Sequence, residues 1–463
     1  MSKKLGVVIT DGVGFRNFIL GTFIGEAEKI FDSIVILSCL PKTVYENHTI
    51  VPLVELSVFV EPFKTWLFRK AKEVSHLRLH KEDNFGIADN LRANRASRLS
   101  PRGIATRFVY GWTYFFHSEK WILKYEKWQQ ASFKNHLVTK EYREILEREQ
   151  VDVLFFTHQR PAFIAPLAAL AIWKNIKTTS FIFSWDNLAS KGRMAATFDS
   201  YLVWSDLMKK ELLHFYPHTV SKKIKVVGTP QFEPYVMERY NEPKEAFYSK
   251  FNLNEAYKII CFSCGDISTS KNDELYITAI CEAIVNKEIP MVNLLIRTSP
   301  AEDPIRFSQI QNKFPFIKWN FPDWKISRGA HQEAWSQRVP GLDDIADLRA
   351  ILTYSDLNIN MLSTMSLDFM QFDKPVINPV FGTSGNGLYN DQRFLAYEHI
   401  KHVVNSEATM IVKNKTELVD AINLLIEKPL LLVKGQHDLI ALQIGAPVEG
   451  TGKRMAQTLL QWA

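Results

Sequence analysis

Cysteine is scarce, with Cys39, Cys261, Cys264 and Cys281 the only four in 463 residues. That is too few for a disulfide framework, and Cys261 and Cys264 lie in an apolar run with no second pair, which reads as buried thiols rather than zinc ligands. Long hydrophobic runs are also missing: no window of about 18 uncharged apolar residues occurs, which excludes an ordinary membrane-spanning helix. The start, MSKKLGVVITDG, enters a strand with no signal-peptide core or cleavage site, so a cytoplasmic location is expected and the sequons at Asn47 and Asn414 should stay unmodified. No sequence-periodic repeat or low-complexity tract is present.

The composition is that of a globular chain, 46% hydrophobic and 23% charged. Its length exceeds one ordinary domain and predicts two of about 200 residues each. The net charge of +6 is unevenly spread. Between positions 64 and 140, sixteen Lys/Arg stand against six Asp/Glu, a net of +10 that leaves −4 for the remainder.

Residues 5–9 and 33–40 read as strands joined through the turn Asp11-Gly12-Val13-Gly14 and a helix over 18–31, the opening of a doubly wound α/β domain. Gly12 and Gly14 lack the third glycine of a dinucleotide fingerprint, so they indicate a tight turn near a cleft. From 59 to 136 strands give way to aromatic and basic residues. The run FVYGWTYFFHSEKWILKYEKWQQ either forms a basic amphipathic surface for an anionic membrane or a helical insertion whose aromatics fill a core. No nucleic-acid motif accompanies the charge, so nucleic acid is not expected as a partner.

After Glu147 the α/β rhythm returns. Strands at 151–157, 178–183, 200–203 and 224–227 end in loops carrying His158, Arg160, Trp185, Asp186 and Asn187. Ligands in such sheets bind beyond the carboxyl ends of strands, which makes these residues candidates for a site. Residues 233–252 read as polar and helical. A second alternating domain follows, with strands at 259–263 and 293–297, a loop holding Gly265 and Ser268, Arg297 at a strand end, and helices over 343–354, 415–426 and 452–462. Stretch 316–339 is tryptophan-rich and irregular, and 382–387 is a small-residue loop.

The stretch NINMLSTMSLDFMQFDKPVINP at 358–379 reads as strand, turn, helix, strand. Unpaired amides on the first turn of its helix, with hydroxyls from Ser363, Thr364 and Ser366, suit a phosphate, and Asp368 could accept from a sugar hydroxyl. The structural alternative is a capped helix with a solvated aspartate.

The segments SFIFSWDNLASKG, YLVWSDLMKKELLHFYP and KVVGTPQFE resemble bacterial glycosyltransferases of surface-polysaccharide assembly. LLIRTSPAED and STMSLDFMQFDKPVI are similar to those proteins and, more distantly, to CDP-glycerol glycerophosphotransferases. The resemblance implies the GT-B fold: two Rossmann-like doubly wound domains facing across a cleft, here with a helical basic/aromatic insertion in the first. It assigns residues 1–235 to an acceptor domain (insertion about 59–136), 236–445 to a nucleotide-donor domain, and 446–463 to a closing helix. Many retaining members carry a glutamate where this chain has Asn360, which puts retaining chemistry in doubt, while Asp368 matches a second acidic position.

The expected activity is metal-independent transfer of a sugar from a nucleotide-sugar to a glycan or lipid-linked acceptor at the inner face of the membrane, with no cofactor. Asp186 or His158 is the expected base. The donor would meet Gly265, Ser268, Arg297, Ser363, Thr364, Ser366 and Asp368, and the acceptor Gly14, Arg160, Trp185 and Asn187. CDP-polyol phosphotransfer, sugar-nucleotide epimerisation and a non-catalytic scaffold are the alternatives.

Overall fold

A computed structural model describes residues 3–96, 98–383 and 391–463, so most of the loop expected at 382–387 lies outside the described residues. The chain divides into two compact units. The first comprises Met1–Glu233, Ile326–Val339 and Gln443–Ala463, and the second Pro234–Lys325 and Pro340–Leu442. Sequence reading placed 326–339 wholly within the donor domain; its return to the first unit carries no local signal.

The first unit is built on seven strands: β1 (Lys4–Ile9), β2 (Ser33–Ser38), β3 (Leu53–Glu55), β4 (Val153–Phe156), β5 (Lys177–Phe181), β6 (Ser200–Val203) and β7 (Ile224–Val226). All pair in parallel in the order β3-β2-β1-β4-β5-β6-β7. Their near-continuous apolar runs are what a sheet covered on both faces requires, and Leu5, Val7, Val8, Phe155, Phe156 and Leu202 are fully buried. The helix expected over 18–31 is broken: a π-helical turn spans Phe15–Ile19 and an α-helix Phe23–Glu28. At Gly21 the backbone turns so tightly that a β-carbon would stand 2.4 Å from the Asn17 carbonyl oxygen.

Helices Phe63–Leu79, Phe85–Ala93, Pro101–Phe115 and Glu119–Phe133 form the insertion. Ser100 caps the third, accepting from the Gly103 amide at 3.1 Å, with Pro101 in its first turn, an arrangement worth about 1 kcal/mol. Its large apolar side chains divide between burial and exposure. Trp66, Tyr110, Tyr125 and Phe133 are buried, whereas Ile104, Phe108, Trp112 and Phe115, at helical spacing, are exposed. No helix among the described residues is long and apolar enough to cross a membrane.

In the second unit, β8 (Ile259–Ser263), β9 (Asn293–Arg297), β10 (Lys318–Asn320), β13 (Leu357–Ile359), β14 (Val376–Pro379) and β15 (Met410–Val412) pair in parallel in the order β10-β9-β8-β13-β14-β15. The short strands β11 (Trp324–Ile326) and β12 (Arg338–Pro340), at the two ends of the segment Ile326–Val339 that belongs to the first unit, form a separate ribbon. Residues 233–252 are less helical than their polarity predicts: two 3-10 turns, Pro230–Val236 and Glu238–Tyr240, precede a short helix, Lys244–Lys250. Pro234 and Pro243 lack the amide protons a continuous helix would use.

Candidate functional site

In each sheet the strand order reverses direction at one place, and loops leaving the two strands there diverge to open a crevice. In the first unit that place lies between β1 and β4. The residues just beyond their carboxyl ends are Thr10-Asp11 and Thr157-His158, held in register by the Thr157 amide and hydroxyl, both donating to the Val8 carbonyl at 3.2 and 2.8 Å.

His158 Nδ1 lies 2.9 Å from Asp11 Oδ2, and both side chains are buried. The Asp11 carboxylate also accepts from the Gly14 amide at 2.8 Å and the Thr10 hydroxyl at 2.7 Å. Gly14 is needed because a β-carbon there would stand 2.9 Å from the Thr157 hydroxyl. Burial raises the Asp11 pKa, but the His158 hydrogen bond and charge, with the Gly14 and Thr10 bonds, outweigh it and bring the carboxyl below its ordinary value. His158 is lowered below its ordinary range, chiefly by burial, with Asp11 opposing and Arg160 adding. The two directions agree: an ionised carboxylate accepts from Nδ1–H of a neutral imidazole, which assigns the tautomer and leaves Nε2 as a base. The ring stacks on Phe183 at 3.8 Å between centroids.

The other first-unit candidates gather beside this pair through Gln159, whose Nε2 donates to Asn187 Oδ1 at 2.9 Å; Asn187 in turn donates to Asp186 Oδ1 at 3.0 Å. Asp186 is ion-paired with Lys191 at 3.2 Å, Trp185 is buried, and Arg160 is half-buried. Of the two expected bases, His158 is therefore the one built as an oriented dyad, whereas Asp186 is engaged by a cation and an amide.

Sequence reading missed Asp11 as a partner, although it was visible in the turn, and missed the segment Ile326–Val339. That segment crosses so closely that a β-carbon on Gly12 would lie 1.6 Å from the Arg338 carbonyl oxygen. It brings Trp335 to 6.0 Å from the His158 ring and places Glu333 against the Ala162 amide. Burial raises the Glu333 pKa, against the pull of Arg69 and Arg160.

In the second unit the strand order reverses between β8 and β13. Behind their carboxyl ends lies a buried polar cluster. Asn358 Nδ2 donates to the Ser263 hydroxyl at 2.9 Å, and Asn360 Nδ2 to Asn358 Oδ1 at 2.6 Å and to the Ser366 hydroxyl at 3.1 Å. Asn378 Nδ2 donates to the Asn360 carbonyl at 2.8 Å, and the Ser363 amide to Asn360 Oδ1 at 2.7 Å. Asn360 thus holds the loop from below, and Leu362 is left in the left-handed region at φ 51°.

Several expected donor contacts differ in their surroundings. The helix after the loop is only six residues, Met365–Met370, so it offers a smaller dipole than a long helix would. The Ser363 hydroxyl accepts from the Met365 amide, Ser366 is absorbed in the asparagine cluster, and Thr364 is half-buried at the helix start. Asp368 is buried and accepts from the Tyr235 hydroxyl rather than facing water. Arg297 pairs with both oxygens of Asp344 at 3.0 Å and donates to Asn320. In the preceding loop the Gly265 amide donates to Asp273 at 2.9 Å, and the exposed Ser268 turns its hydroxyl to Asp266. Gly265, Ser363 and Thr364 thus border the reversal point, while Arg297, Ser366 and Asp368 are committed to protein partners.

No protein-family model matches the chain, and no curated protein matches it by sequence. Solved structures do match. The S. aureus MnaA–UDP co-structure aligns at TM-score 0.55 and 10% identity over 100% of this chain and 98% of that one. A glycosyltransferase from Rickettsia africae aligns at 0.52 and 12% over 100% and 98%, and the UDP-GlcNAc 2-epimerase from Neisseria meningitidis bound to UDP-GlcNAc at 0.52 and 11% over 99% and 100%. Likeness at such identity speaks for architecture: with parallel sheets of seven and six strands, the chain has the two Rossmann-like units of the GT-B fold.

Proposed function

We propose that the protein is a nucleotide-sugar-dependent glycosyltransferase acting on a glycan or lipid-linked glycan acceptor in cell-surface polysaccharide synthesis, with His158 as general base. The observation that carries this reading is the buried Asp11–His158 pair at the reversal point of the first sheet. A base for a sugar hydroxyl must be neutral near pH 7 and held in one tautomer, and burial and Asp11 provide these two conditions. In the transfer step the acceptor O–H proton passes to His158 Nε2 and the acceptor oxygen bonds to the anomeric carbon. The bond from that carbon to the diphosphate oxygen breaks, and the nucleoside diphosphate leaves with the electron pair. We assign the nucleotide to the loops 264–270 and 360–366 of the second unit, with Gly265, Ser268, Ser363 and Thr364 in contact and Arg297, Ser366 and Asp368 supporting. Gly14, Arg160, Trp185 and Asn187 are assigned to the acceptor.

What favours transfer over a reaction without acceptor is the insertion. Its helix Pro101–Phe115 exposes Ile104, Phe108, Trp112 and Phe115, and Arg98, Arg102 and Arg107 stand exposed beside them. A cavity of about 200 Å³ beneath, lined by Leu67, Phe68, Phe108, Trp112, Tyr125 and Trp128, has the size and apolarity for part of a hydrocarbon chain. Such a surface suits an anionic lipid leaflet carrying a lipid-linked acceptor, at the cytoplasmic face.

The second reading is a sugar-nucleotide epimerase, supported by neighbours described as UDP-GlcNAc 2-epimerases. Proton NMR of the protein with UDP-, GDP- and CDP-sugars, each with and without a polyprenyl-phosphate-linked glycan, separates the two. Transfer predicts free nucleoside diphosphate and a lengthened glycan only when acceptor is present. Acceptor-independent inversion of a sugar carbon on the intact nucleotide would replace the transferase assignment with the epimerase.

A further inference from the structure

His80 closes the helix Phe63–Leu79, and Asp83 follows in the turn before helix Phe85–Ala93. His214 stands in the last turn of helix Asp206–Phe215, 131 residues after Asp83. One ligand atom from each of these three side chains lies within 4.8 Å of the others, the only such histidine, cysteine and carboxylate grouping among the described residues. His214 Nε2 is already 3.1 Å from Asp83 Oδ2.

A second observation points the same way. His80 is only 8% exposed, and its buried Nε2 has no hydrogen-bond partner. An imidazole nitrogen left unpaired in the interior forfeits the bonds it would make in water, a loss usually avoided. The His80 ring is held edge-on against Phe215 at 5.0 Å and tilted to His214 at 5.6 Å, so it is placed by packing rather than by a polar partner.

We propose that His80, Asp83 and His214 bind one divalent transition-metal ion of the zinc type. Two imidazoles and a carboxylate are borderline donors that suit Zn²⁺ and leave Mg²⁺ and Ca²⁺ poorly served. With bonds of about 2.0–2.1 Å, tetrahedral ligands stand roughly 3.3 Å apart. The His214–Asp83 pair is at that spacing, and His80 must draw in from at most 4.8 Å. His214 and Asp83 are more than half exposed, which leaves the fourth position to water. The ion would clasp the end of an insertion helix to a helix flanking the first sheet. Its role is structural and independent of the transfer chemistry.

The test uses tag-free, chelator-stripped full-length protein titrated with Zn²⁺ alone, Co²⁺ alone and Mg²⁺ alone by calorimetry and thermal melting. Expected are one Zn²⁺ per chain, visible absorption bands from bound Co²⁺, a rise in Tm with Zn²⁺ and none with Mg²⁺. His214→Asn and Asp83→Asn, both at exposed positions, should keep the metal-free Tm, weaken Zn²⁺ binding at least about tenfold and lose the Tm rise. Absence of saturable Zn²⁺ binding, or binding unchanged in both variants, overturns the proposal.

Discussion

Asp11 and His158 are 147 positions apart and meet because β1 and β4 are neighbours at the reversal point of the first sheet. The pair makes a sharp prediction. His158→Gln should lower kcat by roughly 10²–10⁴-fold, the range that general-base catalysis supplies, with little change in donor KM. Asp11→Asn should follow it part of the way, because an amide can offer its NH₂ to Nδ1 and put the proton on the wrong nitrogen. The sign of the pH effect follows from the direction of the shift. His158 sits below its ordinary 6.5 in the folded protein, so it is neutral at pH 7, and kcat should fall as pH drops through the folded value. The same group contributes stability that is complete above about pH 6.5 and is lost as acid protonates it, since the unfolded chain then binds more protons. An acid limb on activity that survives in His158→Gln would sink the assignment, and a thermal melt against pH checks the stability arm.

The loop between β13 and β14 rests on Asn360, which supports the Ser363 amide and ties Asn358 to Ser366. Asn360→Ala should therefore cost about 1–3 kcal/mol, since buried donors and acceptors lose partners, and should weaken nucleotide binding by loosening the loop. A urea titration and a thermal shift with UDP measure both; unchanged values would mean that Leu362 is held in its unusual conformation by packing alone. Much at this scale was legible beforehand. The apolar runs at 259–263 and 293–297 announced buried strands of an α/β sheet, and the turn at Ser363-Thr364 announced the loop, because period and turn chemistry are local. What was not legible is orientation. Nothing local distinguishes an Asp368 facing water from one accepting a bond from Tyr235, nor an Arg297 offered to phosphate from one paired with Asp344. Those depend on neighbours 133 and 47 residues away. The segment Ile326–Val339 was opaque for the same reason: its tryptophan-rich irregularity marked it as unusual, but its place over Gly12 is set by long-range packing.

At the scale of the whole molecule the decisive asymmetry is in charge. A net of +10 falls within positions 64–140 while the rest of the chain carries −4. In that region Ile104, Phe108, Trp112 and Phe115 are exposed on one helix. Coulomb attraction to an anionic leaflet contributes about 1 kcal/mol per basic residue near the surface, and salt screens it within a Debye length of about 8–10 Å. Apolar side chains entering the lipid boundary add a term that salt does not weaken. The two contributions can therefore be separated. Sedimentation with phosphatidylglycerol vesicles should show binding at 50 mM salt that falls steeply, but not to zero, by about 500 mM, and no comparable binding to neutral vesicles. Phe108→Ser/Phe115→Ser, changes at exposed positions that should move stability by no more than about 0.5 kcal/mol each, should abolish the salt-resistant remainder while leaving Tm unchanged. Arg98→Gln/Arg102→Gln should reduce the salt-sensitive part instead. If neither pair alters sedimentation, the exposed face of Pro101–Phe115 does not meet lipid, and the argument that the insertion favours transfer to a lipid-linked acceptor falls with it.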